Sequence, residues 1–408
     1  MVKENTMKQT EIGLLPEDWE VVQIKEVTNH LTNGFVGVAK THYTEKDSGI
    51  TYLQGFNVEE NYFNFTGVKK VTKEFHLSHL RSSLKYKDLL TVQTGDVGLT
   101  TFVPKELEGA NCHALIISRY NTNKVESKFV SFYLNSKQGR NRLKDIETGT
   151  TMKHINVGEF QYFQIPLPPL PEQEAIAEAL SDADAWIESL EQLIVKKRLI
   201  KQGAMQELLS PKEDWEVKKL GEFADFFKGK GLPKSELSDS GEFKCIHYGE
   251  LFTKYKELVG QIYSKTNYND NTILSKTNDV LMPTSDVTPR GLATASCIKE
   301  EGVILGGDIL IVRLKSIIDG LFFSYFITNN KEEVLKYVSG STVYHLYGSE
   351  LSNLNFSFPK SLTEQTRIAT ILSDMDAELE ALGGQLGKAR NVKQGMMQEL
   401  LTGKIRLV

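Results

Sequence analysis

Cysteine is scarce in this sequence, and long apolar runs are missing. The 408 residues include only three cysteines, Cys112, Cys245 and Cys297, and none of them forms a CxxC pair. A disulfide framework and a cysteine-rich zinc site are therefore disfavoured. No apolar run reaches the roughly 18 residues that a membrane helix needs, and the polar segment Met1–Thr10 does not resemble a signal peptide. We expect a cytoplasmic protein with no membrane span.

Signatures of common catalytic sites are also missing. The sequence contains no GxxxxGKS or GxxxxGKT phosphate loop, no GxSxG elbow and no HExxH helix. It also lacks the NPPY or NPPF tetrapeptide of adenine methyltransferases. Together these absences favour a binding protein over an enzyme. We predict that the chain carries no catalytic residue, no metal and no cofactor of its own.

A long internal repeat is the strongest pattern in the chain. The segments Glu172–Ser210 and Glu364–Thr402 align without a gap at an offset of 192, and 21 of the 39 aligned residues are identical. A weaker match outside them relates Gly149–His154 to Gly340–His345. The stretches between these matches differ almost everywhere. The chain is therefore a duplicated unit, in which a variable half and a repeated segment each occur twice.

The repeat divides the chain into four parts. Residues 1–165 and 211–358 are the variable halves, and residues 166–210 and 359–408 contain the repeated segments. Each variable half mixes short β-like runs, such as Leu115–Ile117, with one or two helical stretches. We therefore predict the α+β class for both halves. Variable loops on a repeated frame indicate that the frame positions them and the loops select a ligand.

Each repeated segment has the heptad spacing of a coiled coil. Apolar residues follow in alternating steps of four and three at Ile176, Leu180, Ala183, Ile187, Leu190 and Ile194, and again at Ile368, Leu372, Met375, Leu379, Leu382 and Leu386. We predict two long helices that pair with each other, antiparallel if a pseudo-twofold axis relates the halves. The alternative is two ordinary amphipathic helices, each covering its own domain. Gly383, Gly384 and Gly387 either permit close helix approach or mark a break.

Two short motifs flank the heptad helix. A proline-rich run, Ile165–Gln173, precedes it, and Lys201–Leu209 ends it; the distal copy ends in the related segment Lys393–Thr402. With these motifs, and with two variable and two repeated segments in this order, nearly the whole chain resembles the specificity subunit of type I restriction-modification systems. The distal copy departs from the pattern, because Phe358–Leu362 replaces the proline-rich run.

This resemblance implies a fold and a set of partners. The fold would be two pseudo-twofold-related α/β target-recognition domains, separated by two long antiparallel coiled-coil helices. Each domain would read one half of a bipartite site in double-stranded DNA. The chain would be non-catalytic and would dock two modification subunits, which bind S-adenosylmethionine and methylate adenine. Restriction subunits that use ATP and Mg²⁺ would complete the complex.

On this reading, polar residues in two pairs of corresponding loops are the candidates for DNA contact. They are Gln93, Thr94, Asp96, Lys153 and His154 in the first half, and Thr284, Ser285, Thr288, Arg290, Tyr344 and His345 in the second. Glutamine and arginine suit bidentate contacts to adenine and guanine edges, and an aspartate accepts from cytosine N4. The alternative for each is an ordinary loop residue that is hydrogen-bonded to its own backbone.

The net charge of −5 is unevenly distributed. Residues 171–210 carry four basic and eight acidic side chains, while both variable halves are nearly neutral. Phosphate attraction by this chain alone should therefore be weak, so we expect much of the DNA affinity to come from docked subunits. The weak charge also motivates an alternative function, a non-catalytic scaffold with two protein- or glycan-binding domains on a coiled-coil rod. A stand-alone nuclease or methyltransferase is a third hypothesis.

Overall fold

The computed structural model describes residues 6–150 and 153–407. These residues form two compact units: the first comprises the chain up to Leu190 together with the segment from Gln385 onward, and the second spans Glu191–Gly384. Each unit mixes helices and strands, so the predicted α+β class is confirmed. Within the described ranges, no helix combines the length and the apolar character that crossing a membrane requires.

The main sheet of the first unit is antiparallel and four-stranded. Its strands, in spatial order, are Thr28–Asn33, Leu115–Tyr120, Leu89–Val92 and Thr100–Phe102. A smaller sheet joins Lys69–Val71, Ile50–Leu53 and Asn111–Cys112. Two-stranded pairs join Met7–Thr10 to Gly13–Pro16, and Glu20–Gln23 to Gln164–Leu167. Pro166 and Leu167 complete this last strand, which therefore ends two residues beyond the predicted boundary at residue 165.

Helices pack around the sheets of the first unit. They are Ser127–Asn135 and Lys137–Lys144, together with the shorter helices Ile24–Val27, Lys73–Ser78 and Val157–Phe160. Ser136 separates the first two helices, and its hydroxyl oxygen accepts a hydrogen bond from the backbone N–H of Gly139 at 3.0 Å. Trp19, Phe129 and Phe160 are fully buried in the core beneath them.

The second unit repeats this plan with a larger main sheet. Its five strands, in spatial order, are Ala224–Lys228, Ile309–Leu314, Asp279–Pro283, Ser296–Ile298 and Leu258–Val259. A second five-stranded sheet contains Leu237–Ser238, Ser264–Thr266, Phe243–Ile246, Ile304–Leu305 and Ile273–Leu274. Ser285–Asp286, Tyr344–Leu346 and Val338–Gly340 form a three-stranded sheet, and Glu216–Lys219 pairs with Asn355–Phe358. The helices are Glu250–Thr253, Gly320–Asn329, Lys331–Leu335 and Gly348–Leu351.

A buried aspartate stabilises the start of a central strand in each unit. Asp88 is completely buried; its carboxylate accepts the backbone N–H of Lys85 at 2.8 Å and two hydrogen bonds from the Arg119 guanidinium, both at 2.7 Å. The second unit repeats this arrangement with Asp279, Lys276 and Arg313. Bidentate arginine pairing compensates the burial of a charge that would otherwise be costly.

The repeated segments form the two longest helices. The central helix spans Leu170–Leu208 and the distal helix spans Leu362–Leu400, each with 39 residues. Neither helix forms a unit of its own, since each runs from one compact unit into the other. All twelve predicted heptad positions are buried or half-buried, and Ile176 and Leu180 lie in the core of the first unit as Ile368 and Leu372 lie in that of the second.

Ion pairs between the helices give their relative direction in the second unit. In the second unit, Lys197 pairs with Glu378 and Lys201 pairs with Asp376, both at 2.6 Å. The residue number rises on one helix as it falls on the other, so the helices run antiparallel there, as predicted. In the first unit, Lys393 pairs with Asp184 at 2.6 Å, and these two positions match Lys201 and Asp376 in the repeat.

The structure supports neither of the two alternatives for the distal glycines. Gly383, Gly384 and Gly387 lie inside the continuous helix Leu362–Leu400, so they do not mark a break. A Cβ atom added at any of the three would meet no atom of the described chain within 4 Å, so close helix approach does not require them either.

A buried glutamine anchors the start of each long helix. The Gln173 side chain accepts the backbone N–H of Glu126 at 2.9 Å and donates to the carbonyls of Lys124 and Pro168 at 3.0 and 2.8 Å. Gln365 makes the same three hydrogen bonds, at 2.9, 3.1 and 2.8 Å, with Asp319, Ile317 and Pro359. Both glutamines are 0% exposed, which explains why the repeat keeps this residue.

Candidate nucleic-acid interface

Two predicted loops of the first unit meet at one edge of the main sheet. Strand Leu89–Val92 ends beside Leu115, and the loop that follows carries Thr94 and Asp96. His154 forms a β-bridge with Thr94 and another with Thr148, so the segment around His154 lies directly beside that loop. Thr151 and Met152, part of the Gly149–His154 motif, lie outside the described residues. The structure thus brings together residues that are about 60 positions apart in sequence.

The second unit builds the same arrangement with full strands. Ser285 pairs with His345, and Ser339 pairs with His345 on its other side. These three residues occupy the positions of Thr94, His154 and Thr148 at a constant offset of 191. The weak repeat match at Gly340–His345 therefore reflects a shared backbone pairing at the same edge of the sheet.

Two of the residues predicted to contact DNA are buried, and their side chains are hydrogen-bonded within the protein. Gln93 is 8% exposed, and its amide nitrogen donates to the Ile155 carbonyl at 3.1 Å. Thr284 is 6% exposed, and its hydroxyl lies 3.4 Å from the Asp308 carboxylate. The Gln93 side chain joins the paired loops of the first unit, whereas Thr284 contacts Asp308 in the loop before strand Ile309–Leu314, so neither side chain is exposed for a base contact.

The remaining candidates of the first unit lie at the surface. Thr94, Asp96 and Lys153 are exposed, and His154 is half-buried. The Nε2 atom of His154 lies 3.1 Å from the Thr148 hydroxyl, an interaction that restricts the orientation of the imidazole. The edge therefore offers a carboxylate, an ammonium, a hydroxyl and an oriented imidazole within one surface.

The candidates of the second unit are held by weak surface contacts. The Ser285 hydroxyl lies 3.0 Å from Nδ1 of His345, and the half-buried Tyr344 precedes that histidine. Thr288 donates to Asp286 at 2.8 Å, and Arg290 pairs with Glu332 at 2.7 Å. The Arg290 and Glu332 side chains are 75% and 71% exposed, so their ion pair contributes at most about 1 kcal/mol and can be exchanged for a phosphate or a base edge.

Three lysines at this edge were missed by sequence reasoning. Lys228 ends an outer strand of the second unit's main sheet, and Lys230 and Lys234 follow in the next loop; all three are exposed. The Lys228 ammonium lies 3.1 Å from Asp308, the carboxylate that also contacts Thr284. The recognisable signal was the segment K-G-K-G-L-P-K, in which lysines alternate with glycine and proline.

The cysteines do not form a reactive site. All three are buried, and burial raises the pKa of the Cys245 thiol to about 11 and that of Cys297 to about 12. A thiol with such a pKa remains protonated at neutral pH and is a poor nucleophile. Among the described residues, no group of three or more histidine, cysteine, aspartate or glutamate side chains is arranged to hold a metal ion.

Two domains with the same loop-bearing sheet edge, and two long paired helices, define the class of this protein. The family model described as type I restriction modification DNA specificity domain matches residues 16–196 and again residues 212–385. The two matches cover most of the chain, and the chain therefore belongs to this family.

Particular relatives agree with this assignment, one of them over nearly the full length of both chains. The chain is 26% identical to the type I restriction enzyme MjaVIII specificity subunit of Methanocaldococcus jannaschii, over 99% of this chain and 97% of that one. It is 23% identical to the Escherichia coli EcoBI specificity subunit over 44% of this chain and 38% of that one. A crystal structure of a type I S subunit from M. genitalium shares the fold, with a TM-score of 0.61, 18% identity and 98% coverage of both chains.

Family membership decides between the three hypotheses raised by the sequence. The relatives are named specificity subunits, so the prediction of a specificity subunit that is not itself the enzyme is confirmed. Two copies of the specificity domain match, in agreement with two target-recognition domains. The protein- or glycan-binding scaffold and the stand-alone nuclease or methyltransferase receive no support.

Proposed function

We propose that this chain selects a bipartite DNA site, with each unit reading one half-site through the loops at the edge of its main sheet. The observation that carries the proposal is the repeated pairing of Thr94 with His154 and of Ser285 with His345. The two units share this backbone frame but differ at exposed positions beside it, since Asp96 and Lys153 correspond to Val287 and Tyr344. Different side chains on the same backbone frame would recognise two different half-site sequences.

The exposed side chains supply the chemistry that such reading needs. Asp96 is suited to accept from cytosine N4, and Arg290 to donate to the O6 and N7 atoms of guanine. Lys153, Lys228, Lys230 and Lys234 are suited to phosphate oxygens, which position a protein on DNA without selecting a sequence. Tyr344, at the edge of the second unit, offers an aromatic ring and a hydroxyl.

The partners and cofactors follow from the family and form part of the proposal. We expect two modification subunits and the restriction subunits of a type I complex to dock on this chain in the cytoplasm. S-adenosylmethionine would be held by the modification subunits, and ATP and Mg²⁺ by the restriction subunits. The nearly neutral variable halves support this division, because a chain with little positive charge gains little from phosphate attraction.

Methylome sequencing tests the proposal directly. Cells that express this chain with its modification partner should carry methyladenine in a motif of two short half-sites, separated by a spacer of fixed length and free sequence. Cells that express the modification partner alone are the control and should lack that motif. A single continuous motif, or a motif that does not depend on this chain, would contradict the proposal.

The assignment of one half-site to each unit has its own test. The variant Arg290→Ala should relax specificity at one position of a single half-site and leave the other half-site unchanged. Loss of a bidentate contact costs about 1–3 kcal/mol of discrimination against the wrong base. The matched change Arg367→Ala, at an exposed arginine of the distal helix that pairs with Glu364, should leave the whole motif unchanged.

A further inference from the structure

The loop after strand Thr28–Asn33 in the first unit has an apolar tip. Val36 and Val38 are 68% and 77% exposed, which places both among the most exposed large apolar residues of the described chain. Single exposed apolar residues are common on protein surfaces, but two branched side chains at one loop tip leave a concentrated apolar area in water. The tip therefore suits a ligand that covers it.

The backbone on both sides of the tip is held firmly. Phe35 donates its backbone N–H to the Cys112 carbonyl at 2.9 Å, and its own carbonyl accepts from Ala114 at 3.0 Å. The Phe35 ring packs edge-on against Phe75, with 4.9 Å between centroids. Ala39, on the other side, is 4% exposed in the same apolar cluster. Anchoring at Phe35 and Ala39 directs the intervening valines away from the core.

Gly37 completes this geometry between the two valines. Its φ angle is +148°, in the region that favours glycine, and a Cβ atom added there would lie 2.9 Å from the Phe35 ring. The loop therefore folds back over Phe35, and Val36 and Val38 are presented by a fixed backbone. A rigid apolar tip loses little conformational entropy when a ligand covers it.

The tip emerges at the same sheet edge as the candidate reading loop. Strands Thr28–Asn33 and Leu89–Val92 both pair antiparallel with Leu115–Tyr120, so they run in the same direction and end at the same side. Two strand spacings of about 4.8 Å separate their ends by about 10 Å, which equals roughly three base pairs along DNA. Val36 and Thr94 can therefore contact base pairs that lie roughly three apart within one half-site.

We propose that Val36 and Val38 read the 5-methyl group of thymine in the half-site of the first unit, which rests on the proposed function of the chain. The thymine methyl is the apolar feature of the major groove, and short apolar side chains are its usual protein contacts. The second unit differs at the corresponding loop, where Lys230 and Lys234 are exposed. The first loop thus contributes to the choice of bases, whereas the second holds phosphates.

Removal of single thymine methyl groups from the DNA tests this inference. The complex of this chain with its modification partner is bound to DNA that carries the motif found by methylome sequencing. Each thymine of either half-site, on either strand, is replaced in turn by deoxyuridine, which removes only the methyl group. Binding should weaken about fourfold at one or two positions of the first half-site, the size expected for one methyl group that is no longer buried.

The valines are then tested in the same assay. The double variant Val36→Ala, Val38→Ala should bind thymine and deoxyuridine DNA with equal affinity at those positions, while the second half-site is read as before. Leu14→Ala is the matched control, because Leu14 is 58% exposed in the hairpin at Met7–Pro16 of the same unit, outside this loop. This control should retain the fourfold preference for thymine.

The outcomes separate failure of this inference from failure of the proposed function. Sequence-specific binding without any loss on deoxyuridine substitution in the first half-site overturns the inference and leaves the function intact. So does a preference for thymine that survives in the double valine variant. If the double variant weakens binding equally at every sequence, the valines act as a wedge and the methyl-reading role is wrong. Absence of any sequence preference contradicts the proposed function itself.

Discussion

Arg406 follows the distal helix and connects three parts of the first unit. Its guanidinium makes two hydrogen bonds to Asp18, at 2.7 and 2.9 Å, and also pairs with the completely buried Glu172. Glu172 in addition accepts the indole N–H of Trp19 at 3.0 Å. The two carboxylates raise the pKa of Arg406. A buried carboxylate thus depends on one arginine at the end of the chain.

We predict that Arg406→Ala destabilises the first unit by about 3 kcal/mol, because it leaves the buried Glu172 carboxylate without its cation. Calorimetric unfolding should show a lower melting temperature for that unit. Arg367→Ala is the matched control. Its partner Glu364 occupies the position of Glu172 in the repeat but lies at the surface, where an ion pair contributes about 0–1 kcal/mol. Equal effects of the two changes would contradict this account.

The exposed lysines Lys230 and Lys234 of the second unit allow a second prediction at the residue scale. Lys230→Ala and Lys234→Ala should each weaken DNA binding by the complex to a similar degree at all sequences, and each should reduce the salt-dependence slope of log K by about one. Affinity measured between 50 and 200 mM salt gives that slope. Lys244→Ala serves as control, because Lys244 pairs with Glu300 at 2.7 Å. A change in base preference, with an unchanged slope, would show that these lysines read bases.

At the scale of elements, the structure explains why certain residues are identical in the two long helices. Glutamine is kept at the helix start because Gln173 and Gln365 are anchored by the same three hydrogen bonds. Lysine and aspartate are kept because Lys201 pairs with Asp376, and Lys393 with Asp184. These matched contacts account for the identity of the glutamine, lysine and aspartate positions between the two segments.

The distal glycines allow a prediction about helix stability. Gly383, Gly384 and Gly387 lie in a helix interior where an added Cβ meets open space, so alanine at each position should stabilise the protein by about 0.5–1 kcal/mol. The triple variant should melt at a higher temperature in calorimetry. Gly139→Ala is the contrasting variant: its Cβ would lie 2.0 Å from the Tyr133 carbonyl, so it should melt lower. Destabilisation by the triple change would show that the glycines face a partner surface.

At the scale of the whole molecule, the length of the helices should determine the spacing of the DNA site. A 39-residue helix is about 58 Å long at 1.5 Å per residue, and both long helices pass from one compact unit to the other. One inserted heptad adds about 10.5 Å, or roughly three base pairs, and preserves the heptad seam.

We therefore predict that one heptad inserted after Leu190 and another after Gln385 lengthens the preferred spacer by about three base pairs. Methylome sequencing of the variant measures the new spacer, and the half-sites should keep their sequences. A four-residue insertion after Leu190 alone is the comparison: it shifts the seam and should reduce assembly. A spacer that stays constant after the paired insertions would mean that the helices do not set it.

The sequence by itself determined the architecture of this protein, because a repeat and a heptad seam are carried by local spacing and by identity. Those patterns predicted both long helices, the duplicated domains and the family. Only the tertiary structure decided which loop residues are available to DNA. Gln93 and Thr284 were predicted to contact bases but are buried, whereas Lys230 and the Val36–Val38 tip are exposed, each at the loop-bearing sheet edge of its own unit. The reason is physical: availability depends on which strands end together and which side chains the opposing loop occupies, and no local pattern records those long-range pairings.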